Sequence, residues 1–356
     1  MERGFRDRDY IQTIEDFFFT VVGNTHPPNR VTAYLKNIPS PLGKWGNGKK
    51  RYDRVLKQYT MTAVANTIAF LKLNYSEYVY HSKEQNITFS FVPVTKIRRH
   101  YKPEEKLAKL VTDEKLDHLQ LKAILLTKEI SKESNVDLSN LGITGSLLVG
   151  IHRPEFSDID LTVYGVSNCK AVKRGSLRLL QKSVLKRFEG DELDKWCLDR
   201  SRLYPLTIGE ARKIYLQKWN RGRFRDTLFS IHPVKVESEI SAIYGSKIFI
   251  PMGLVECEAL VKDASDSMFL PAIYKIEDVS ILNGHSYDGI SEVVSYEGLY
   301  SDIASEGERI TCKGKLEKVR SRDSKKEYYR ILVGSFEAAG RDYIKKKAWV
   351  EGKPFS

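Results

Sequence analysis

The segment from Gly142 to Gly165, GITGSLLVGIHRPEFSDIDLTVYG, contains the residues on which the expected fold depends. Ile143 and the preceding Leu141 suit a short buried strand, and Gly145 provides a tight exit from that strand. Ser146 is a favourable N-cap for the short turn that follows. The segment therefore begins with a predicted strand that ends in a glycine-serine turn.

Two aspartates, Asp158 and Asp160, start a second predicted strand in the same segment. The residues that alternate with them are apolar, so the strand would place both carboxylates on one face. Adjacent carboxylates repel each other unless a cation joins them, and Mg²⁺ commonly takes one or two carboxylates together with water and substrate phosphates. The N–H groups and the hydroxyl of the Gly145-Ser146 turn would receive those phosphates. Together these residues predict a site for a nucleoside triphosphate (NTP) with Mg²⁺ or Mn²⁺.

This combination of an apolar residue, Gly-Ser, a spacer and Asp-Ile-Asp-Leu resembles the DNA polymerase beta-like nucleotidyltransferase superfamily. The resemblance covers roughly Leu141 to Val236, and the wider chain is similar to an archaeal group of predicted nucleotidyltransferases. It implies Mg²⁺-dependent transfer of a nucleoside monophosphate from an NTP to a hydroxyl acceptor, such as one on RNA or DNA. By the same resemblance, Asp158 and Asp160 would hold the metal. Gly145 and Ser146 would hold the triphosphate.

The later strand of the motif, predicted over residues 227–236 (TLFSIHPVKV), departs from the superfamily. Active members usually carry a third carboxylate there, which holds a metal and helps to deprotonate the attacking hydroxyl. The polar face of this strand instead offers Ser230 and His232. We expect His232 to act as the general base, with a rate that rises through about pH 6–7. Glu237, just after the strand, is the candidate for the third metal ligand.

The absence of a carboxylate from this strand leaves two further interpretations open. His232 would be a structural residue that caps the strand before Pro233. The domain would then be a catalytically degenerate nucleotidyltransferase fold whose basic surfaces bind nucleic acid.

The composition limits the classes of protein to consider. The chain has 356 residues, of which 41% are hydrophobic, enough for two or three globular domains. A net charge of +12 favours polyanionic partners such as nucleotides, RNA or DNA. No apolar run approaches the ~18 residues that span a bilayer, and the first residues lack the apolar core of a signal peptide, so we expect a cytoplasmic protein. The four cysteines are widely spaced and indicate neither a zinc knuckle nor a disulfide scaffold.

The predicted fold class is α+β, with a nucleotidyltransferase-type mixed sheet and helices at the centre. We divide the chain into an N-terminal α/β segment (residues 1–100), a nucleotidyltransferase-like domain (residues 101–240) and a β-rich C-terminal domain (residues 241–356).

Periodicity and turn residues predict the principal elements before the motif. The N-terminal segment would contain a hairpin with strands at residues 17–22 and 30–37, followed by a helix at 51–73. A longer helix would span residues 103–134, with a break near Asp113.

Three basic segments are candidate contacts for a triphosphate or a nucleic-acid backbone. They are a loop at residues 44–51, a helix at 171–189 and a turn at 220–225. Cations from the helix or the turn would neutralise charge in the transition state. The alternative interpretation of each segment is an ordinary solvated surface.

Short strands separated by glycines are predicted in the C-terminal domain at residues 247–250, 254–261, 270–276, 279–282, 310–315 and 328–333. This spacing is typical of a small barrel or sandwich, and the part at residues 309–334 is similar to an OB-type barrel. The basic tail at residues 341–347 would be a helix end or a disordered arm.

Overall fold

The computed structural model describes residues 3–46, 50–56, 60–322, 324 and 326–350, except for the side chain of residue 350. The fold is mixed α+β, as predicted, with three sheets that follow one another along the chain. The strands are β1 Tyr10–Thr13, β2 Phe18–Val21, β3 Arg30–Pro39, β4 Tyr52–Arg54, β5 Val79–Ser82, β6 Ile87–Pro93, β7 Ile97–Tyr101, β8 Leu141–Thr144, β9 Ile159–Tyr164, β10 Leu185–Lys186, β11 Arg221–Phe224, β12 Thr227–Val234, β13 Lys247–Asp263, β14 Ala272–Asn283, β15 Ile290–Ser295, β16 Arg309–Ser321, β17 Glu327–Val333 and β18 Tyr343–Lys346. The helices are α1 Met61–Asn74, α2 Pro103–Thr112, α3 His118–Ser134, α4 Gly145–Val149, α5 Val166–Gln181, α6 Gly190–Leu203, α7 Ile208–Gln217 and α8 Lys347–Val350.

The N-terminal sheet is antiparallel, in the order β5-β6-β3-β2-β1-β7, with β4 added to β3. The predicted hairpin is present as β2 and β3. Leu71 of α1 packs on the apolar face of the sheet beside Phe19 and Leu35. The helix predicted from residue 51 begins only at Met61, because Thr60 caps it and accepts a hydrogen bond from the N–H of Ala63.

The middle sheet has the order β10-β11-β12-β9-β8, and β12 runs parallel to β9. Its apolar row, formed by Ile143, Leu161 and Ile231, belongs to one core with residues of α2, α3 and α5. The helix predicted at residues 103–134 is divided into α2 and α3, because Asp117 starts α3 with a capping box.

Two predictions in the middle of the chain are corrected by the structure, and one helix is new. The basic helix predicted at residues 171–189 is α5, which begins at Val166 and ends at Gln181. The basic turn predicted at residues 220–225 is mostly a strand, since β11 pairs with β12. Helix α6 follows β10 and was not predicted.

The C-terminal sheet closes into a five-stranded barrel, in the order β13-β14-β15-β17-β16 and back to β13. Strands β15 and β17 are parallel, and β18 extends the sheet beyond β16. The strands predicted at residues 247–250 and 254–261 are parts of β13, and those at 270–276 and 279–282 are parts of β14. The tail predicted as a helix end or a disordered arm is β18 followed by α8.

Contacts between the sheets bring the N-terminal sheet close to the motif. Leu148 and Ile151, in and just after α4, pack against Tyr10, Phe18 and Tyr52 of the N-terminal sheet. No helix in the described part of the chain is long and apolar enough to cross a membrane.

Candidate active site

Four polar residues form one row across the middle sheet, on the face opposite the helices. The registers pair Thr144 with Asp160, Asp160 with Ser230 and Ser230 with Arg221. Paired residues of adjacent strands project on the same side, and the strands are about 4.8 Å apart. Asp160 therefore lies between the end of β8, where the glycine-serine turn begins, and the strand that follows the motif.

The turn after β8 requires glycine at position 145. Gly145 has a φ of +70°, and a Cβ at this position would overlap Oδ2 of Asp160. Ser146 is not the N-cap predicted from the sequence, because α4 already includes Gly145 and Thr144 precedes it. The hydroxyl of Ser146 makes no hydrogen bond with the described residues. The turn thus brings backbone and a hydroxyl close to Asp160.

The two motif carboxylates have opposite shifts in pKa. Repulsion from Asp160, assisted by the surrounding protein, raises the pKa of Asp158 to about 6. The side chain of Asp158 is exposed, so repulsion from Asp160 is the main cause of its raised pKa. Although burial opposes the shift, His232 and the hydrogen bond from Ser230 hold the pKa of Asp160 well below its usual range. The site therefore keeps one carboxylate ionised and disfavours ionisation of the other.

Ser230 and His232 occupy the polar face of β12, as predicted. The hydroxyl of Ser230 donates to Oδ1 of Asp160, and its Oγ lies 2.8 Å from Nε2 of His232. The same Nε2 is 3.7 Å from Oδ1 of Asp160, which is too far for a hydrogen bond. Burial and the charge of Arg8 lower the pKa of His232 to about 4, so its imidazole is neutral at pH 7.

Glu237 does not reach the aspartate pair. It follows the end of β12, and its carboxylate accepts a hydrogen bond from Nε of Arg6 at 2.9 Å. The end of β12 lies beside Tyr164, at the far end of β9 from Asp160. Among the residues that the structure describes, no three His, Cys, Asp or Glu side chains form a group that could hold a metal ion.

The aspartate pair fits a cation that completes its coordination outside the protein. Two carboxylates beside a glycine turn repel each other strongly enough to shift the pKa of Asp158, and a bound cation would relieve that repulsion. Oxygen donors of this kind suit Mg²⁺ or Mn²⁺. The chemistry of the two carboxylates is thus compatible with Mg²⁺ or Mn²⁺, for which Asp158 and Asp160 would be the protein ligands.

Cations from the N-terminal sheet also lie near the pair, and the sequence did not reveal them. Lys36 of β3 is buried, and its charge and that of Arg54 both act on Asp158. Burial and the neighbouring Arg54 lower the pKa of Lys36 to about 7. Arg8 lies within electrostatic reach of Asp160 and is paired with Asp7 at 3.3 Å. The available signal was a lysine within the apolar run of β3.

Three cations of the predicted basic helix are instead committed to carboxylates. Arg178 and Lys182 both bind Glu133, and Lys173 binds Asp302. These ion pairs favour the interpretation of α5 as a solvated and interdomain surface.

The loop predicted at residues 44–51 provides an aromatic contact. Trp45 lies 4.8 Å below the guanidinium of Arg54 and makes an edge contact with Phe156, which is 55% exposed. Residues 47–49 of this loop lie outside the described residues. The described part of the loop therefore places the half-buried Trp45 between a cation and the exposed Phe156, near the site.

The chain is 29% identical over 352 residues to an uncharacterized protein from the archaeon Methanocaldococcus jannaschii. The aligned part covers 96% of this chain and 99% of that protein, so the similarity includes all three sheets. No family model matches the chain. No solved structure matches it either.

Proposed function

We propose that this chain is a nucleotidyltransferase that transfers a nucleoside monophosphate from an NTP to a hydroxyl acceptor with Mg²⁺ or Mn²⁺. The observation that carries the proposal is the row that sets Asp160 beside the turn at Gly145 and beside Ser230. Repulsion between Asp158 and Asp160 supports it, because a pair of this kind is suited to a divalent cation.

Each residue of the site has a defined part in this reaction. Asp158 and Asp160 would hold the metal, which when bound supplies Lewis-acid activation and neutralisation of phosphate charge. The backbone of Gly145 and the hydroxyl of Ser146 would orient the triphosphate. Lys36 and Arg54 would offset the remaining negative charge.

His232 and Ser230 would position Asp160 through a chain of two hydrogen bonds. Ser230 has one hydroxyl proton, so donating it to Asp160 requires that Nε2 of the neutral His232 carry a proton and donate it to Ser230. In this tautomer His232 fixes Ser230 and Asp160. His232 would accept the proton of the acceptor hydroxyl through its other nitrogen, as a general base that is available above about pH 4.

Transfer is tested by incubating the purified protein with each labelled NTP, Mg²⁺ or Mn²⁺, and a mixed pool of RNA or DNA. The double variant Asp158→Asn plus Asp160→Asn should show no labelled product and no pyrophosphate release. The matched control is Asp288→Asn, since Asp288 is exposed in the connection between β14 and β15 of the barrel. Undiminished transfer by the double variant would remove both aspartates from the mechanism.

A second candidate function is non-catalytic binding of nucleic acid. Ser230 and His232 stand where the resembled superfamily carries its third carboxylate, and this observation favours the second function. The strand order of the C-terminal barrel, with β15 parallel to β17, supports an OB-like barrel, a type that binds single strands. In this case the logarithm of the affinity should fall linearly with the logarithm of the salt concentration, without pyrophosphate release. Pyrophosphate release that requires the acceptor would instead favour the transferase.

A further inference from the structure

Three arginine side chains near the proposed site make no hydrogen bond or ion pair with the part of the chain that the structure describes. They are Arg54, Arg200 and Arg221. The Nε atoms of Arg54 and Arg200 are buried without a partner. By contrast, Arg223 lies two residues along β11 from Arg221 and is held by Glu192. All three side chains are half-buried, and guanidinium groups held in this way without a carboxylate partner are typical of a site that binds an anion.

Two of these arginines form a local excess of positive charge. Arg200 of α6 lies over the ring of Trp196 at 5.6 Å, and Trp196 packs against Tyr215 at 5.0 Å. Arg221 is near enough to both Arg200 and Tyr215 for their charges to interact. Burial and the charge of Arg200 both lower the pKa of Arg221. The two guanidinium groups therefore lie within electrostatic reach of each other. Asp160 and Asp158 also act on Arg221, but neither forms an ion pair with it.

The sheet order separates this arginine pair from the glycine-serine turn. Along the row, Asp160 is followed on one side by Thr144 and the turn, and on the other by Ser230 and then Arg221. The N-terminal sheet, which carries Arg54, packs against α4 and so lies on the side of the turn. Arg200 and Arg221 thus lie on the opposite flank, next to the residues that would meet the acceptor hydroxyl.

We infer that Arg200 and Arg221 bind a phosphate group of the acceptor, so the acceptor carries a phosphate near its reacting hydroxyl. The planar guanidinium groups match phosphate oxygens in geometry and charge. The phosphate comes either from the terminal nucleotides of an RNA or DNA strand or from a small phosphorylated alcohol. This inference rests on the proposed function, which assigns the triphosphate to the turn.

The test measures binding of two probes to the full-length protein in the presence of Mg²⁺ and a non-hydrolysable NTP. The probes are a short labelled RNA with a free 3′ hydroxyl, followed by fluorescence anisotropy, and glycerol phosphate, followed by calorimetry. Arg200→Gln and Arg221→Gln should each weaken binding of whichever probe binds the wild type. The expected loss is about 10- to 100-fold, as for loss of charge-assisted hydrogen bonds. If the RNA binds and glycerol phosphate does not, the phosphate comes from a nucleic-acid strand. If glycerol phosphate binds and the RNA does not, it comes from a small phosphorylated alcohol.

The matched control is Arg223→Gln, which removes a cation from the same strand that already has a carboxylate partner and should leave probe binding nearly unchanged. The melting temperature without ligand separates a binding role from a folding role. Loss of a repelling buried charge should raise the melting temperature of Arg221→Gln, whereas loss of a structural contact would lower it.

Several results would overturn the inference. The inference fails if neither probe binds the wild type. It also fails if both probes bind the glutamine variants with the same affinity as the wild type. Weaker NTP binding with unchanged probe binding would assign the arginines to the triphosphate instead. The proposed function fails separately, if NTP binding in Mg²⁺ is the same in the wild type and in the Asp158→Asn plus Asp160→Asn variant.

Discussion

Gly145 and Gly150 have nearly the same left-handed backbone conformation, but only Gly145 contacts Asp160. Their φ angles are +70° and +72°, and a Cβ at Gly150 would meet nothing within 4 Å. Alanine at either position should therefore cost about 1–2 kcal/mol in the free energy of unfolding from backbone strain. Gly145→Ala should in addition displace the carboxylate of Asp160 and abolish metal-dependent nucleotide binding.

Denaturant unfolding and nucleotide titration of Gly145→Ala and Gly150→Ala distinguish these two effects. Similar losses of nucleotide binding in both variants would show that backbone strain, and not the contact with Asp160, explains the requirement for glycine.

The pKa values of Asp158 and His232 indicate that the carboxyl group of Asp158, and not the imidazole of His232, makes cation binding depend on pH. The pKa of Asp158 is raised to about 6, so below that pH the group is protonated and cannot hold a cation. The pKa of His232 is lowered to about 4, so this residue is already neutral across the range of pH 6–7 in which the sequence predicted its titration. We expect the increase in melting temperature caused by Mn²⁺ and nucleotide to grow as the pH rises through about 6.

Thermal melts from pH 5 to pH 8 test this assignment. The pH step should persist in His232→Gln and be absent from Asp158→Asn. The opposite pattern would restore His232 as the titrating group.

At the scale of single elements, strand β12 presents a hydroxyl where the superfamily resemblance predicts a carboxylate. Ser230→Asp would place a third negative charge next to Asp160. Without metal, this variant should melt at a lower temperature than the wild type because of charge repulsion. Mn²⁺ should raise its melting temperature by more than it raises that of the wild type. Ser230→Asn removes the same hydroxyl without adding charge and serves as the control. Equal responses of both variants to Mn²⁺ would place the metal away from Ser230.

The elements around the motif could be predicted because their signals are local. The glycine turn, the Asp-Ile-Asp alternation and the break near Asp113 each depend on residues close in sequence. The long strands of the barrel could not be predicted as single strands, because the residues at their irregular positions are also typical of turns. Gly253, with a φ of +94°, accompanies a register shift inside β13, and Asp278 has a φ of +50° inside β14. A bulge and a turn use the same residues, and only pairing across the sheet distinguishes them.

The candidate site was predictable only where its residues lie within the strands of the motif. The sequence correctly brings Asp160 together with Ser230 and His232, because alternation along β9 and β12 fixes which residues share a face. The prediction of Glu237 as a metal ligand was wrong because this residue lies beyond the end of β12, where alternation no longer applies. Its carboxylate pairs with Arg6 instead. Lys36 and Arg54 come from another sheet, and their proximity to the aspartates depends on how the two sheets pack together.

At the scale of the whole molecule, Asp302 joins the barrel to the middle sheet. Its carboxylate accepts hydrogen bonds from Nζ of Lys173 at 2.8 Å and from Nε1 of the buried Trp219 at 2.7 Å. Asp302→Gly should lower the free energy of unfolding by about 1–3 kcal/mol, because a buried indole N–H loses its partner. Glycine tolerates the φ of +55° at this position, so the loss reports the contacts rather than the backbone.

Asp278→Gly is the matched control for this interface. Asp278 also has a positive φ, and its ion pair with Arg309 is exposed on the barrel surface. Denaturant unfolding should show a small effect for Asp278→Gly, and limited proteolysis should release the barrel more readily only from Asp302→Gly. Equal destabilisation by the two changes would argue against Asp302 as the connection.

The hydrogen bond from the hydroxyl of Thr144 to the carbonyl of Arg8, at 2.7 Å, has a consequence for how the molecule folds. It joins positions 136 apart in the chain, and the bond from Arg6 to Glu237 joins positions 231 apart. Folding slows as contacting residues lie further apart, so the N-terminal sheet should dock beside Asp160 only after the strands of the middle sheet have paired. During refolding, recovery of nucleotide binding should therefore lag behind recovery of secondary structure, and the binding-competent state would be the last to appear.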